Sequence, residues 1–134
     1  MLMPILARYM TRNPQTIARG ATMAEAHRVM RAHQIRHLPV VDGTRVVGVV
    51  TLSDLHLLET LPGVSPDEVA VEDAMSSDVY IASASDELPD VVDRMASAKI
   101  GSAVVLDADG SLIGIFTNID ALRALADILR REAA

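Results

Sequence analysis

A heptapeptide that occurs twice constrains this chain more than any other feature. GVVTLSD at 48–54 returns as GIFTNID at 114–120, with glycine, threonine and aspartate in the same order and spacing. Other residues pair at an offset of 65, which becomes 66 after a turn in which VDGTR is matched by LDADGS. The pairs are Met10/Met75, Met30/Met95, Ile35/Ile100, Val40/Val105, Asp42/Asp107, Gly48/Gly114, Thr51/Thr117 and Asp54/Asp120. Because an insertion costs least in a turn, we interpret the chain as two copies of one supersecondary unit.

Both copies have the same predicted order of helices and strands. Thr22 and Glu25 form a capping box that begins a helix running to about His33, and Pro89 fits the first turn of its counterpart. Two β-rich runs joined by a hairpin turn follow, and the second run leads directly into another helix. The predicted strands are 38–41, 46–51, 102–106 and 112–117, the closing helices are 52–61 and 119–131, and short extended pieces lie at 16–17 and 80–81.

The strand runs predict a sheet that is covered on both faces. VVGVV and LIGIF are apolar without alternation, which is typical of strands buried on both sides. One copy of about 55 residues could hardly cover both faces alone, whereas two copies packed sheet to sheet, with helices outside, could. We therefore expect an α+β (α/β-like) fold with a first repeat at 8–61, a connector at 62–73 and a second repeat at 74–131.

Composition and charge exclude several classes of function. Aromatic residues make up only 2% of the chain, which argues against single-stranded nucleic acid binding, and there is no cysteine for disulfides, thiolate zinc sites or nucleophiles. The net charge of −6 disfavours binding to a phosphate backbone, although residues 1–65 carry +3 and all four histidines. That local excess suits a small anion or an acidic partner surface. Without signal-peptide features or an apolar run of about 18 residues, we expect a soluble cytoplasmic protein with no membrane partner.

Two ordered sets of residues resemble the cystathionine β-synthase (CBS) domain. The first set is Met10-Thr11-x-x-Pro14, Thr22-x-x-Glu25-Ala26, Ile35-x-x-Leu38-Pro39-Val40-Val41-Asp42 and Gly48-Val-Val-Thr51-x-x-Asp54. The second includes Met75, Ile100-Gly101-Ser102-Ala103-Val104-Val105-Leu106-Asp107, Gly110 and Gly114-Ile-Phe-Thr117-x-x-Asp120. The resemblance covers about residues 8–126, so that nearly the whole chain is similar to a CBS pair, or Bateman module.

This resemblance implies an architecture and a function. Two tandem βαββα repeats would pack with pseudo-twofold symmetry and leave clefts for adenine nucleotides or adenosyl ligands. It also implies a non-enzymatic, stand-alone regulatory module that forms a homodimer and acts on a separate effector protein. We expect AMP, ADP or ATP in preference to S-adenosylmethionine or NAD. The competing interpretation is a structural dimerisation or partner-binding module whose clefts stay empty.

The repeated Thr-x-x-Asp pairs have two interpretations. Threonine followed three residues later by an acid is itself a helix-capping signature, and an acid in the first turn suits the helix dipole. The same helix start also offers amides to a phosphate, and an aspartate there can accept the hydroxyls of a ribose. With the resemblance added, we favour ligand contact, which does not exclude capping. Gly48 and Gly114, inside strands, predict a bulge or a close backbone approach.

Arg36-His37 is the second candidate for ligand contact, since the resemblance implies that basic side chains here meet phosphates and arginine suits that contact. A solvated loop pair is the alternative, and the second copy has Gly101-Ser102 instead.

His27, His33 and His37 do not predict a metal site, and nothing places a nucleophile beside a base. Leu125, Ile128 and Leu129 could pack on their own sheet or in a dimer. The predicted ligand contacts are Thr16, Ile17, Arg36, His37, Leu38, Pro39, Thr51, Ser53, Asp54, Val79, Tyr80, Ile81, Ser102, Ala103, Thr117, Asn118 and Asp120.

Overall fold

The computed structural model describes residues 2–134, and it confirms the α+β class, with four helices and two sheets. The predicted order of elements is present in both copies. The strands are β1 (Thr11–Arg12), β2 (Ile17–Ala18), β3 (His37–Asp42), β4 (Arg45–Thr51), β5 (Ile81–Ala82), β6 (Ser102–Leu106) and β7 (Leu112–Thr117). The helices are α1 (Met23–His33), α2 (Leu52–Glu59), α3 (Leu88–Ala98) and α4 (Asn118–Ala133), with short 3-10 turns at Leu6–Arg8 and Val71–Asp73.

The chain divides into two compact units. Pro14–Val79 form the central unit, whereas Tyr80–Ala134 and the N-terminal segment up to Asn13 form the terminal unit. The central unit contains a sheet of order β2-β3-β4, and the terminal unit contains a sheet of order β1-β7-β6-β5. The first strand of the chain therefore belongs to the unit that is built mainly from the second sequence copy.

The leading segments of the two copies, which contain Thr11 and Ser76, are exchanged between the two sheets. In the terminal unit, β1 pairs antiparallel with β7, with Thr11 opposite Ile115. In the central unit, Ser76 forms an antiparallel bridge with Val49 of β4. Thr11 and Ser76 are equivalent positions at the offset of 65, so each leading segment joins the last strand of the other copy. This arrangement covers one edge of each sheet, where unpaired backbone groups would otherwise be exposed.

Each unit has its own aliphatic core. In the central unit Met23 and Met30 of α1 pack with strand residues such as Leu38 and Val50. In the terminal unit Met95 of α3 packs in the core that contains Phe116, a fully buried aromatic side chain. The methionines are core residues, as the sequence predicts, and burying such a side chain is worth about 1.5–3 kcal/mol.

Local signals set the ends of the first helix in each copy. The Thr22 side chain accepts a hydrogen bond from the Glu25 amide, as expected, but the Thr22 amide does not donate to the Glu25 carboxylate, which lies 3.7 Å from Arg28 instead. At the other end, Gln34 and Lys99 adopt left-handed conformations with φ of 54° and 56°. Both amides bond to carbonyls of the preceding turn, which ends α1 and α3 in the same way.

The outer face of α4 is apolar. Ile119, Leu122, Leu125 and Leu129 have exposed fractions of 55%, 61%, 53% and 55%, whereas Ala124 is buried and Ile128 packs on the core. Of the residues Leu125, Ile128 and Leu129, only Ile128 therefore packs on the core of its own unit. This leaves a continuous apolar stripe outside the core of the terminal unit.

Candidate functional site

The strand–helix junction of the central unit brings four predicted residues together. His37 begins β3 directly opposite Thr51, the last residue of β4. The Thr51 amide donates to Asp54 Oδ2 at 2.9 Å, and the Asp54 amide donates to Thr51 Oγ1 at 3.0 Å. Ser53 lies between them on the first turn of α2 and is exposed. The capping interpretation is therefore confirmed at this junction.

Hydrogen-bonding capacity remains at this junction. The amide of Leu52 donates to the carbonyl of Arg36 at 2.9 Å, which removes one of the free amides at the start of α2. Asp54 uses only Oδ2 in the capping box, and its Oδ1 accepts no hydrogen bond from the residues that the structure describes. Asp54 is half-buried and Ser53 is exposed. The junction therefore presents one carboxylate oxygen at the positive end of a helix.

Burial changes the charge that His37 can contribute. Burial lowers the pKa of the His37 imidazole; Asp54 opposes this shift and Arg36 adds to it. A lowered pKa keeps the imidazole neutral at pH 7, so that His37 adds no positive charge before a ligand arrives. An approaching phosphate would favour protonation and recover that charge.

Arg36 lies on a different surface from the capping box. Its side chain lines a groove between α1 and α2, together with residues such as Arg31 and His56. Asp54 lines a second concave surface with Leu57, Leu61 and Asp73. The sequence pair Arg36-His37 is thus adjacent in the chain, but only His37 lies opposite Thr51 in the sheet.

The equivalent junction of the terminal unit is closed by its own hydrogen bonds. Asp120 is only 5% exposed. Its Oδ2 accepts the Thr117 amide at 2.9 Å and, at 3.4 Å, the Thr117 hydroxyl, while its Oδ1 accepts the hydroxyl of Thr11 at 3.0 Å. Both carboxylate oxygens are therefore occupied, and the bond to Thr11 fastens β1 to the start of α4. The ligand role of Asp120 and of its exposed neighbour Asn118 stays a prediction.

Sequence reasoning missed Thr11 as a partner of Asp120. The repeat pattern places Met10-Thr11 in the first copy, whereas the structure places it in the terminal unit. A sequence signal for such a contact did exist. The repeated pairs Met10-Thr11 and Met75-Ser76 each end in a short side chain whose hydroxyl can donate a hydrogen bond. Thr11 and Ser76 nevertheless differ in their contacts, because Thr11 donates to Asp120 whereas Ser76 does not donate to Asp54.

The strand glycines permit these leading segments to lie close. A Cβ on Gly48 would lie 2.5 Å from Met75 Sδ and 2.7 Å from the Ser76 carbonyl oxygen. A Cβ on Gly114 would lie 2.8 Å from Met10 Sδ and 3.1 Å from the Thr11 carbonyl oxygen. The register shifts opposite both glycines, at Val40/Val41 and at Val105/Leu106. The predicted bulges and close approaches are both confirmed.

The remaining predicted contacts differ in what they expose. Leu38, Pro39 and Ala103 are fully buried within paired strands, and their ligand role stays a prediction. Thr16 is exposed immediately before β2, whereas Ile17 is buried and pairs with Val40.

The second extended piece is split by the boundary between the units. Val79 ends the central unit, while Tyr80 and Ile81 begin the terminal unit. The Tyr80 carbonyl accepts the Val104 amide, and its ring lies 5.1 Å from the Arg94 guanidinium. Ile81 is exposed in β5, and Ser102 lies opposite Thr117. None of these contacts by itself tests a ligand role.

Residues 2–134 contain neither a candidate metal cluster nor a candidate membrane span. No group of three or more histidine, aspartate or glutamate side chains in this part of the chain has an arrangement that could hold a metal ion. Within the same residues, every helix is too short or too polar to cross a membrane.

Comparison with known proteins identifies the family. The family model described as CBS domain matches residues 6–57 and 71–127. Two sheets with four helices, built from a repeated strand–helix junction, define a tandem pair of this class, and the chain belongs to the CBS domain family. A crystal structure of a protein named for acetoin utilization (AcuB) from Vibrio cholerae is 30% identical, with a TM-score of 0.86 over 99% of this chain and 98% of that one.

Two other relatives bear on function. The crystal structure of CBSX2 in complex with AMP is 26% identical, with a TM-score of 0.76 over 92% of this chain and 97% of that one. Inosine-5'-monophosphate dehydrogenase of Korarchaeum cryptofilum (strain OPF8) is 30% identical over 112 residues, which are 84% of this chain. The chain spans only 22% of that enzyme. This partial coverage means that the enzyme's activity is not transferred to this chain.

Proposed function

We propose that this chain is a non-enzymatic regulatory module that binds an adenine nucleotide, with AMP, ADP or ATP preferred to S-adenosylmethionine or NAD. The observation that carries the proposal is the uncommitted Oδ1 of Asp54 at the start of α2. A carboxylate oxygen at this place can accept ribose hydroxyls, and the positive end of a helix attracts phosphate. The AMP complex of the related CBSX2 supports the choice of ligand class.

The central unit is the better candidate for ligand contact. Asp54 has one oxygen to spare, whereas both oxygens of Asp120 are engaged. His37 lies next to Thr51 and would gain a proton as a phosphate binds, while the charge of Arg36 contributes attraction from the adjacent surface. Nucleotide affinity should therefore rise as the pH falls from 8 to 6, and adenosine should show less of this dependence than AMP.

A thermal-shift and calorimetric screen tests this function. The purified protein is titrated with AMP, ADP, ATP, S-adenosylmethionine, NAD and adenosine, because a ligand that binds only the native state must stabilise it. A ligand at about 100 times its Kd should add about 2.7 kcal/mol to the free energy of unfolding. Absence of stabilisation and of heat with every compound at millimolar concentration would refute the proposal.

A matched pair of variants separates binding from capping. Asp54→Ala removes both the capping bond and the open oxygen, whereas Thr22→Ala removes the cap of α1 and lies outside the junction. Each should lower stability by about 0.5–2 kcal/mol, but only Asp54→Ala should weaken nucleotide binding. Equal affinities in the two variants would assign Asp54 to capping alone.

Homodimerisation is a second candidate role, and the apolar stripe of α4 favours it. Four exposed aliphatic side chains on one helix face are a typical feature of an interface. The same helix ends with Arg130 and Arg131, whereas the concave surface beside Leu57 and Leu61 carries Asp54 and Asp73. A second copy therefore offers complementary charge as well as apolar area.

The oligomeric state of stripe variants tests this role. Leu125→Glu should convert a dimer to a monomer in sedimentation equilibrium, because it places a charge within the buried face. Leu2→Glu is a matched control at an exposed leucine outside the stripe. A wild-type protein that sediments as a monomer at all concentrations would contradict the dimer.

A further inference from the structure

The groove between α1 and α2 has a second concentration of basic groups. It has a volume of about 460 Å³, and its lining residues include His27, Arg31, Gln34, Arg36 and His56. Volumes of roughly 300–1,000 Å³ are typical of small-molecule sites. The groove is therefore large enough for more than an inorganic ion.

The charge in the groove is largely unpaired. The guanidinium groups of Arg31 and Arg36 have no carboxylate within 4.0 Å among residues 2–134. The acid that reaches this region, Glu59 of α2, is held by His27 at 2.5 Å, and His56 stacks on His27 with ring centroids 5.7 Å apart. Because neither guanidinium is paired with a carboxylate, the groove attracts anions.

The fold does not require these basic residues. At the offsets of 65 and 66, the positions of His27, Arg31, Arg36 and His56 are occupied by Val92, Ala96, Gly101 and Leu122. The terminal unit forms the equivalent helices with these neutral side chains. The basic set is therefore a property of the first copy, and its explanation lies outside helix formation and core packing.

The lining of the groove also indicates the chemistry of the rest of the ligand. Ile35 and Leu52, which are half-buried, supply an apolar surface beside the arginines, whereas Met30 is almost fully buried. A guanidinium fork matches phosphate oxygens in a planar, bidentate contact, and an apolar surface favours a ligand with an apolar body. We propose that the groove between α1 and α2 binds a phosphate monoester with an apolar body, through Arg31 and His56. The site is independent of the nucleotide contacts at Asp54.

Calorimetric titration with phenyl phosphate and with inorganic phosphate tests this site. Phenyl phosphate should bind more tightly than inorganic phosphate, because only the former covers the apolar surface. Equal affinities for the two probes, or no binding of phenyl phosphate at millimolar concentration, would overturn the proposal.

Variants that carry the residues of the second copy locate the binding. The double variant Arg31→Ala/His56→Leu introduces the residues that the equivalent helices already contain, so it should remain folded, which its thermal unfolding checks. Phenyl phosphate affinity should fall at least tenfold, whereas Arg28→Ala, on the same helix but outside the groove, should leave it unchanged. A similar loss in Arg28→Ala would show nonspecific charge attraction instead and refute the site. Asp54→Ala should bind phenyl phosphate normally, so that failure of the nucleotide proposal and failure of this one are distinguishable.

Discussion

Replacing Gly48 by alanine tests how closely the exchanged segment packs on β4. The new Cβ would lie 2.5 Å from Met75 Sδ and 2.7 Å from the Ser76 carbonyl oxygen. The methionine side chain can move, but the Ser76 carbonyl is backbone and accepts the Val49 amide at 2.9 Å. Relief of the clash therefore has to displace a backbone segment that is held by hydrogen bonds.

The size of the effect follows from these contacts. Val49 and Ser76 exchange two hydrogen bonds of 2.9 Å, and each is worth about 0.5–1.5 kcal/mol net. Alanine also lowers the conformational entropy of the unfolded chain, which offsets about 0.4–1 kcal/mol of this loss of stability. We therefore expect Gly48→Ala to lower the free energy of unfolding by about 1–2 kcal/mol. For a chain of this length, each kcal/mol lowers Tm by about 3–5 °C.

Two other glycines provide graded controls. Gly114→Ala meets Met10 Sδ at 2.8 Å and the Thr11 carbonyl oxygen at 3.1 Å, so its cost should be smaller. Gly20→Ala meets nothing within 4 Å and should leave stability unchanged or slightly higher. Urea unfolding followed by circular dichroism measures all three, with the slope m compared to confirm a common unfolding transition. Equal stabilities for Gly48→Ala and Gly20→Ala would refute the close approach.

Three further changes test the charged groups. Asp120→Ala should lower the free energy of unfolding by about 1–3 kcal/mol, more than Asp54→Ala, because it removes the bonds that the Thr117 amide and the Thr11 hydroxyl donate to a buried carboxylate, whereas Asp54 is half-buried; urea unfolding measures both. Because the pKa of His37 is lowered in the folded protein, the unfolded chain binds a proton more readily at this residue. The free energy of unfolding should therefore fall as the pH drops below about 6.5 and through the lower folded-state pKa. The variant His37→Asn, unfolded with urea over the same pH range, should lack this part of the pH dependence. Tyr9→Phe should lower Tm at pH 7, because the tyrosine hydroxyl donates to Asp127 at 2.6 Å. That bond is the main reason why the pKa of Asp127 is lowered. The difference in Tm between Tyr9→Phe and the wild-type protein should therefore shrink in acid, where Asp127 takes up a proton.

The order of elements and much of the core could be predicted from the sequence alone. A strand and a capped helix leave their signals within a few neighbouring residues, as in the heptapeptides that end at Asp54 and Asp120, and a constant offset makes the signal in one copy support the other. Met30 and Met95 were likewise recognisable as core residues, because helical spacing decides which face is buried.

The tertiary structure decided how two equal motifs came to differ. Which sheet edge a leading segment joins depends on backbone groups that are distant in sequence, so the repeat could not reveal that Thr11 reaches Asp120 while Ser76 leaves Asp54 with an open oxygen. The same applies to α4, where helical spacing identifies an apolar stripe but not whether it faces the core. The sequence by itself determined two copies of one strand–helix junction. The exchange of their leading segments brings the Thr11 hydroxyl to Asp120 Oδ1, whereas Asp54 Oδ1 receives no such bond, because backbone pairing between residues distant in sequence decides which hydroxyl reaches which carboxylate.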